Sequence, residues 1–308
     1  MTAAPGKPPD RTFALGVSIA LMSACSLGFI PIFARLSFDG GTAPWTLVLL
    51  RALFGLVMAA TAVAALRLDL RVPRDLWGLL LLTGVGLTMI SVGYMTSVAY
   101  IPVSLAAILF YTFPLIVLAA KMVQARRLPG PRRSAAYGCA FMGLALALGT
   151  EVGGMDGRGL ALAMTASAGA ALMYLAGERV LARVGMLQVA FYTHLVAVPV
   201  MAAATFGTGS FVTPVTDAGW QAVLAAGFCY MIGVGTQFPA LKFAGAVPAS
   251  LVSNAEPLVS LLVAAVVLGE RLSTPQYLGG LLVIAAVAYG TWLMSDGSER
   301  GPAARQES

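Results

Sequence analysis

Apolar stretches long enough to cross a bilayer recur along this chain with little between them, and that spacing leaves few folds open. A spanning helix needs about 20 apolar residues, and ten stretches qualify: 12–34, 44–66, 76–98, 102–121, 134–150, 158–177, 187–207, 218–241, 247–268 and 275–294. The tightest joints fall at Tyr100 to Pro102 and at Phe243 to Val247, and both imply helical hairpins. With 59% apolar and only 10% charged residues in 308, a soluble surface cannot be assembled from what remains. The chain reads as an all-α membrane protein of ten transmembrane helices. No small-residue cleavage site follows the basic N-terminus, so no removable signal peptide is expected.

Lys and Arg give the orientation. Of the 19, the alternate loops assigned to the outside hold only Arg35, Arg158 and Arg271, and Arg51 lies inside a span. The others fall in the termini and the remaining loops, which places both termini in the cytoplasm of a cell with this chain in its inner membrane. Basic loops of this kind are a topology signal beside anionic lipid rather than a nucleic-acid surface. The tails, 1–11 and 295–308, are rich in Pro, Gly, Ser and charge and read as disordered. Cys25, Cys139 and Cys229 fall within spans without metal-ligand spacing, so small-core packing is expected of each and no metal of any.

Sliding the chain by 143 positions aligns Gly16 with Gly159, Trp77 with Trp220, Gly84 with Gly227, Pro114 with Pro257 and 57–60 with 200–203. The shared offset identifies a repeat of five spans, 12–150 and 158–294. Five is odd, so the halves insert in opposite senses: two inverted five-helix repeats, with a site near the midplane where they meet.

The run from Pro248 to Arg271 concentrates the polar groups. Ser250, Ser253, Asn254 and Pro257 stand at i, i+3, i+4 and i+7, one stripe of a helix, and hydrocarbon tolerates none of them without partners. Glu256 lies about nine residues into its span, roughly 13 Å deep. It is either a proton-linked or substrate-orienting carboxylate or a group that caps backbone or pairs with Arg51 to fix helix packing; the packing role is the expectation. Arg51 has the only histidine, His194, as its repeat mate, and His194 is read as an inter-helix hydrogen bond ahead of a proton shuttle. Tyr94 is the mate of Gln237, Tyr111 of Asn254, and Pro31 of Tyr174, whose face also carries Ser167. The expected substrate lining is therefore Tyr94, Gln237, Tyr111, Asn254, Ser250, Ser253, Tyr174 and Ser167, with the mates facing each other across a cavity and Pro31, Pro114 and Pro257 as hinges.

The sequence resembles a known family at this point. Pro248-Ala-Ser-Leu-Val-Ser-Asn-Ala-Glu-Pro257, Leu268-Gly-Glu-Arg-Leu272 and Leu278-Gly-Gly280 look like the end of the repeat of the drug/metabolite transporter superfamily, in its EamA-type branch. The first half is similar through Tyr100-Ile-Pro-Val-Ser-Leu-Ala-Ala107, Pro114 and Arg51. Arg126-Arg127 stands where the second half has Gly269-Glu270, so the acidic end of the motif is present once. The resemblance spans about 13–294 and implies a transporter of amino acids, other metabolites or drugs.

Apart from Arg51, no Lys or Arg lies deep in a span, which argues against phosphorylated substrates and their basic clamps. Phe13 to Phe33 holds no acidic residue of the kind a four-span multidrug exporter needs to exchange protons for cations. Without a G-x-x-x-x-G-K-[ST] loop no nucleotide is expected, and a gradient supplies the energy. With one His, no H-E-x-x-H and no G-x-S-x-G, an intramembrane enzyme fits badly and no catalytic residue is expected. Short loops disfavour a receptor or scaffold. The expectation is a cofactor-free secondary transporter, functional as a monomer in the lipid bilayer, that exports small neutral or zwitterionic metabolites, amino acids foremost, by alternating access. The alternative is a permease of the same fold for drugs, nucleosides or other organic solutes.

Overall fold

The computed structural model describes residues 11–126, 130–149, 156–267 and 273–295. Among them there is no strand. Nine helical segments are long and apolar enough to cross a membrane. We label them α1 (Arg11–Asp39), α2 (Pro44–Ala65), α3 (Trp77–Ser97, entered by a 3-10 turn at Arg74–Leu76), α4 (Val103–Ala125), α6 (Gly157–Leu181), α7 (Met186–Gly207), α8 (Asp217–Ala244), α9 (Ala246–Val267) and α10 (Thr274–Ser295). Pro131–Leu148, 18 residues long, is α5 and takes the remaining expected place. The tails at 1–10 and 296–308 and the motif at 268–272 lie outside the described residues.

Local chemistry sets the boundaries. Pro44 and Pro131 open α2 and α5, at a position where the missing N–H has no helical partner to lose. Asp156 caps α6 by accepting the Arg158 N–H at 2.8 Å, and Thr216 caps α8 by accepting that of Gly219 at 3.0 Å. Between α8 and α9 stands a single residue, Gly245, whose φ of +86° is one that a side chain disfavours.

Three of the helices are interrupted. α1 breaks at Phe29, α4 at Tyr111–Thr112, and α9 passes through a 3-10 turn at Ser253–Ala255. Each restarts with a proline at its second residue: Pro31, Pro114 and Pro257. A proline deep in a helix costs about 3 kcal/mol, whereas in a first turn it costs little, so the break converts a defect into a tolerated start. The breaks in α4 and α9 are repeat mates; α6, the mate of α1, runs unbroken.

Lipid supplies no hydrophobic drive between helices, so packing rests on small residues and inter-helix hydrogen bonds. α1 packs along α8 and α3 along α6; α2 packs on α7, α5 on α10, and α4 against α9. Exchanging each helix with the one five places away maps this set of pairs onto itself. Glycine shows why at one matched pair: a Cβ on Gly16 would meet Phe243 and Ala244 of α8, and one on Gly159 would meet Tyr100 and Ile101 just past α3. Phe243 and Ala244 are the mates of Tyr100 and Ile101.

Many hydroxyls are satisfied locally or across helices, though the buried Thr42 hydroxyl has no hydrogen-bond partner. Thr88, Thr165 and Thr291 bond the carbonyl four residues back. Ser23 donates to Gly233 O at 2.7 Å, Ser260 to Gly28 O at 2.8 Å, and Thr83 pairs with Thr193 at 2.7 Å. Outward faces are apolar, as in Leu81, Phe228 and Ile284. Cys25 and Cys139 lie on these outward faces and Cys229 is half-buried, so the expected core packing of the cysteines does not hold for the first two. A thiol is apolar enough to face hydrocarbon as readily as protein.

Candidate functional site

The broken segments of α4 and α9 bring their polar and aromatic residues together near mid-span. Rings run from α3 through α4 to α6: Tyr94 meets Phe110 edge-on at 5.7 Å between centroids, Phe110 meets Tyr111 at 4.9 Å and Phe113 at 5.5 Å, and Phe113 meets Tyr174 at 5.4 Å. Edge-on and tilted geometries suit the ring quadrupoles.

A hydrogen-bond chain leaves this wall at Tyr174. The Gln237 amide donates to the Tyr174 oxygen at 3.0 Å, Tyr174 and Ser253 share a hydrogen bond at 2.8 Å, and Ser253 donates to Ala249 O at 3.1 Å. Donor accounting therefore runs Gln237, Tyr174, Ser253, backbone, across α8, α6 and α9. Ser167 is fully buried and pairs with Thr112 at 2.8 Å, and Thr112 also donates to Leu109 O at 2.7 Å, closing the break in α4.

Asn254 is 3% exposed. Its Nδ2 donates to Leu251 O at 3.1 Å, while its Oδ1 is buried with no hydrogen-bond partner. Such an acceptor costs about 1–3 kcal/mol unless something fills it. Glu256 follows two residues later, with the Tyr111 hydroxyl and Arg51 within electrostatic reach of its carboxyl group.

Arg51 and Glu256 make no ion pair, which removes the pairing half of the expected packing role for Glu256. Arg51 instead sits over the Tyr230 ring, 5.5 Å from its centroid. His194 Nδ1 donates to Ala190 O at 2.8 Å, which leaves Nε2 to accept the Tyr230 hydroxyl at 3.2 Å. His194 is thus a neutral inter-helix acceptor, lodged where Gly55 of α2 leaves room.

The expected residues do not all share one surface. Ser250 is fully buried beside Tyr137, its hydroxyl on Val247 O at 2.9 Å, in the helical turn before the 3-10 turn that begins at Ser253. Gln237 bonds Tyr174 and Tyr94 packs on Phe110, and no hydrogen bond joins these two mates. Pro31 is exposed on the outward face at the α1 break. A cavity of about 510 Å³ lies apart from the aromatic wall, between α1, α9 and α10, reaching α9 at Ala255 and Leu258. Phe110, Phe113, Thr112 and Tyr230 were not singled out in the sequence. Extending the Pro114–Pro257 match backwards pairs Phe110 with Ser253 and Phe113 with Glu256, a signal that would have found two of them. Among the described residues no cluster of His, Cys, Asp and Glu could hold a metal.

These features belong to a helical membrane transporter. The model of the EamA-like transporter family matches residues 14–149 and again 157–291. The chain is a member of the EamA-like transporter family. No curated protein matches it. A solved structure described as "Crystal structure of protein" is similar over 91% of this chain and 99% of its own at 21% identity, with a TM-score of 0.78, which is a likeness of fold.

Proposed function

We propose that this chain is a secondary transporter of ten spans in two inverted five-helix repeats, which exports small zwitterionic metabolites, amino acids foremost, from the cytoplasm across the inner membrane. One observation carries the substrate class: half-buried Glu256 and the Arg51 guanidinium lie within electrostatic reach of each other without pairing, beside an aromatic wall, and the region between them is the proposed chamber. A zwitterion offers each an opposite charge. Its ammonium lies toward Glu256 and the ring faces of Tyr94 and Tyr111, its carboxylate toward Arg51, and the Asn254 Oδ1 accepts a remaining N–H. The rings shift at the helix breaks to admit it. Helices broken at Tyr111–Thr112 and at Ser253–Ala255 supply the compliance, as broken helices do in other transporters with repeats.

Proteoliposomes loaded with unlabelled solute and offered labelled amino acids, nucleosides and cationic drugs test this. Counterflow of amino acids is expected. A hydrogen bond to a charged group is worth about 1.5–3 kcal/mol, so Glu256→Gln and Arg51→Gln each raise the half-saturation concentration by roughly ten-fold or more. Counterflow confined to nucleosides or cations overturns the zwitterion. An unchanged half-saturation in both variants returns Glu256 to helix packing.

A further inference from the structure

We infer that Lys121, Glu178 and the backbone of Ala246 form a latch that shuts the end of the central site assigned to the cytoplasm; the latch regulates that site and so rests on the reading of the chamber given above. Three spans contribute to it. Lys121 near the end of α4 donates to Glu178 Oε2 near the end of α6, and Glu178 Oε1 accepts the Ala246 N–H at 2.9 Å where α9 begins. The two oxygens of one carboxylate thereby hold α4 and α9 together through α6.

All three groups lie to the same side of the chamber. Counting 1.5 Å per residue, Lys121 is about 15 Å beyond Tyr111, Ala246 about 12 Å before Asn254, and Glu178 about one turn beyond Tyr174. α4 and α9 are the two mated helices broken at the chamber, so tying their far ends closes the path below it. Gly245 makes the contact possible, since a Cβ there would stand 3.2 Å from Glu178 Oε1. Tyr137 of α5 donates to Val247 O at 2.6 Å and steadies the same first turn of α9.

The mated positions do not repeat the latch. The repeat mates of Lys121, Glu178 and Ala246 are Ala264, Arg35 and Val103, which cannot form an acid–base pair among themselves. The repeat therefore does not reproduce this pair from the mated residues, and separating α4 from α9 at the cytoplasmic end requires parting Lys121 from Glu178.

The test uses the full chain in nanodiscs, with Cys25, Cys139 and Cys229 replaced by Ala and spin labels at exposed Val123 and Lys242, beside the ends of α4 and α8. Wild type should give one narrow distance. Lys121→Met and Glu178→Gln lose the ion pair and keep an acceptor for Ala246, so each adds a longer population; Glu178→Ala loses both bonds and adds more. Lys121→Arg, which retains the pair, should match wild type and serves as the folded control. Distances in Lys121→Met and Glu178→Gln that superimpose on wild type overturn the latch. Separately, a Ser253→Cys thiol should react with an impermeant maleimide from the Lys121 side at least five-fold faster when Glu178→Gln is added. Longer distances with an unreactive Ser253→Cys leave the latch standing and overturn the chamber as the site.

Discussion

Tyr174 shares its hydroxyl with residues on two other spans, and the count of its donors decides what a substitution does. Tyr174→Phe strips the acceptor from the Gln237 amide and the partner from Ser253. A buried amide left unpaired costs about 1–3 kcal/mol. The melting temperature in detergent should fall, and adding Gln237→Leu should recover part of it. Asn254 behaves in the opposite way. Its Oδ1 already lacks a partner, so Asn254→Ala should leave the melting temperature nearly unchanged while weakening solute binding about five-fold, equivalent to roughly 1 kcal/mol. A large loss of stability with unchanged binding would make this amide a structural group. Asn254, Gln237 and Glu256 could be singled out in the sequence because an amide or carboxylate inside an apolar stretch is conspicuous. Their partners could not: the helix period puts Ser250 and Ser253 on one stripe, but the 3-10 turn re-aims the chain between Ser250 and Asn254. Tyr230 escaped notice because an aromatic in a span is ordinary until Arg51 is found over it.

At the level of helices, mates share a place and differ in what surrounds it. Gly16→Ala would drive its Cβ to 2.5 Å from the Ala244 backbone nitrogen, whereas Gly159→Ala meets side-chain atoms of Ile101 and Tyr100 at 2.7 and 2.9 Å. Ile101 Cγ2, the nearer of these, can turn aside about χ1, while the Ala244 nitrogen moves only with its helix, so Gly16→Ala should lower the melting temperature more than Gly159→Ala. Equal shifts would mean that α8 yields as readily as the segment after α3. The spans themselves were legible to within a few residues, since apolar length is fixed by the bilayer. The interruptions were legible only as prolines. Whether a proline kinks a helix or restarts it depends on the turn before it, and Thr112 settles that at α4 by bonding to Leu109 O.

For the molecule as a whole, the proposed topology puts 208–216 outside and 130–133 inside. A single cysteine in 208–216 should react with an impermeant maleimide on intact cells, and one in 130–133 only after permeabilisation. The reverse pattern overturns both the orientation and the direction assigned to the latch. The repeat was legible because an offset is a property of the string alone. The ring-to-ring packing of the aromatic wall was not, since it depends on how α3, α4 and α6 approach.

The single glycine between α8 and α9 also bears on how this chain can change in length. An α-helix turns by about 100° per residue, so one residue inserted beside Gly245 must either rotate α9, swinging Asn254 and Glu256 off their present neighbours, or bulge at the joint and pull Ala246 away from Glu178. No slack exists there to absorb it. The stretch after α7 has that slack, with Gly209 in a left-handed conformation followed by several residues outside any helix. One glycine inserted after Gly209 should leave folding and transport intact, and the same glycine after Gly245 should abolish transport. Reading frames with added codons should therefore survive selection at the first place and vanish at the second.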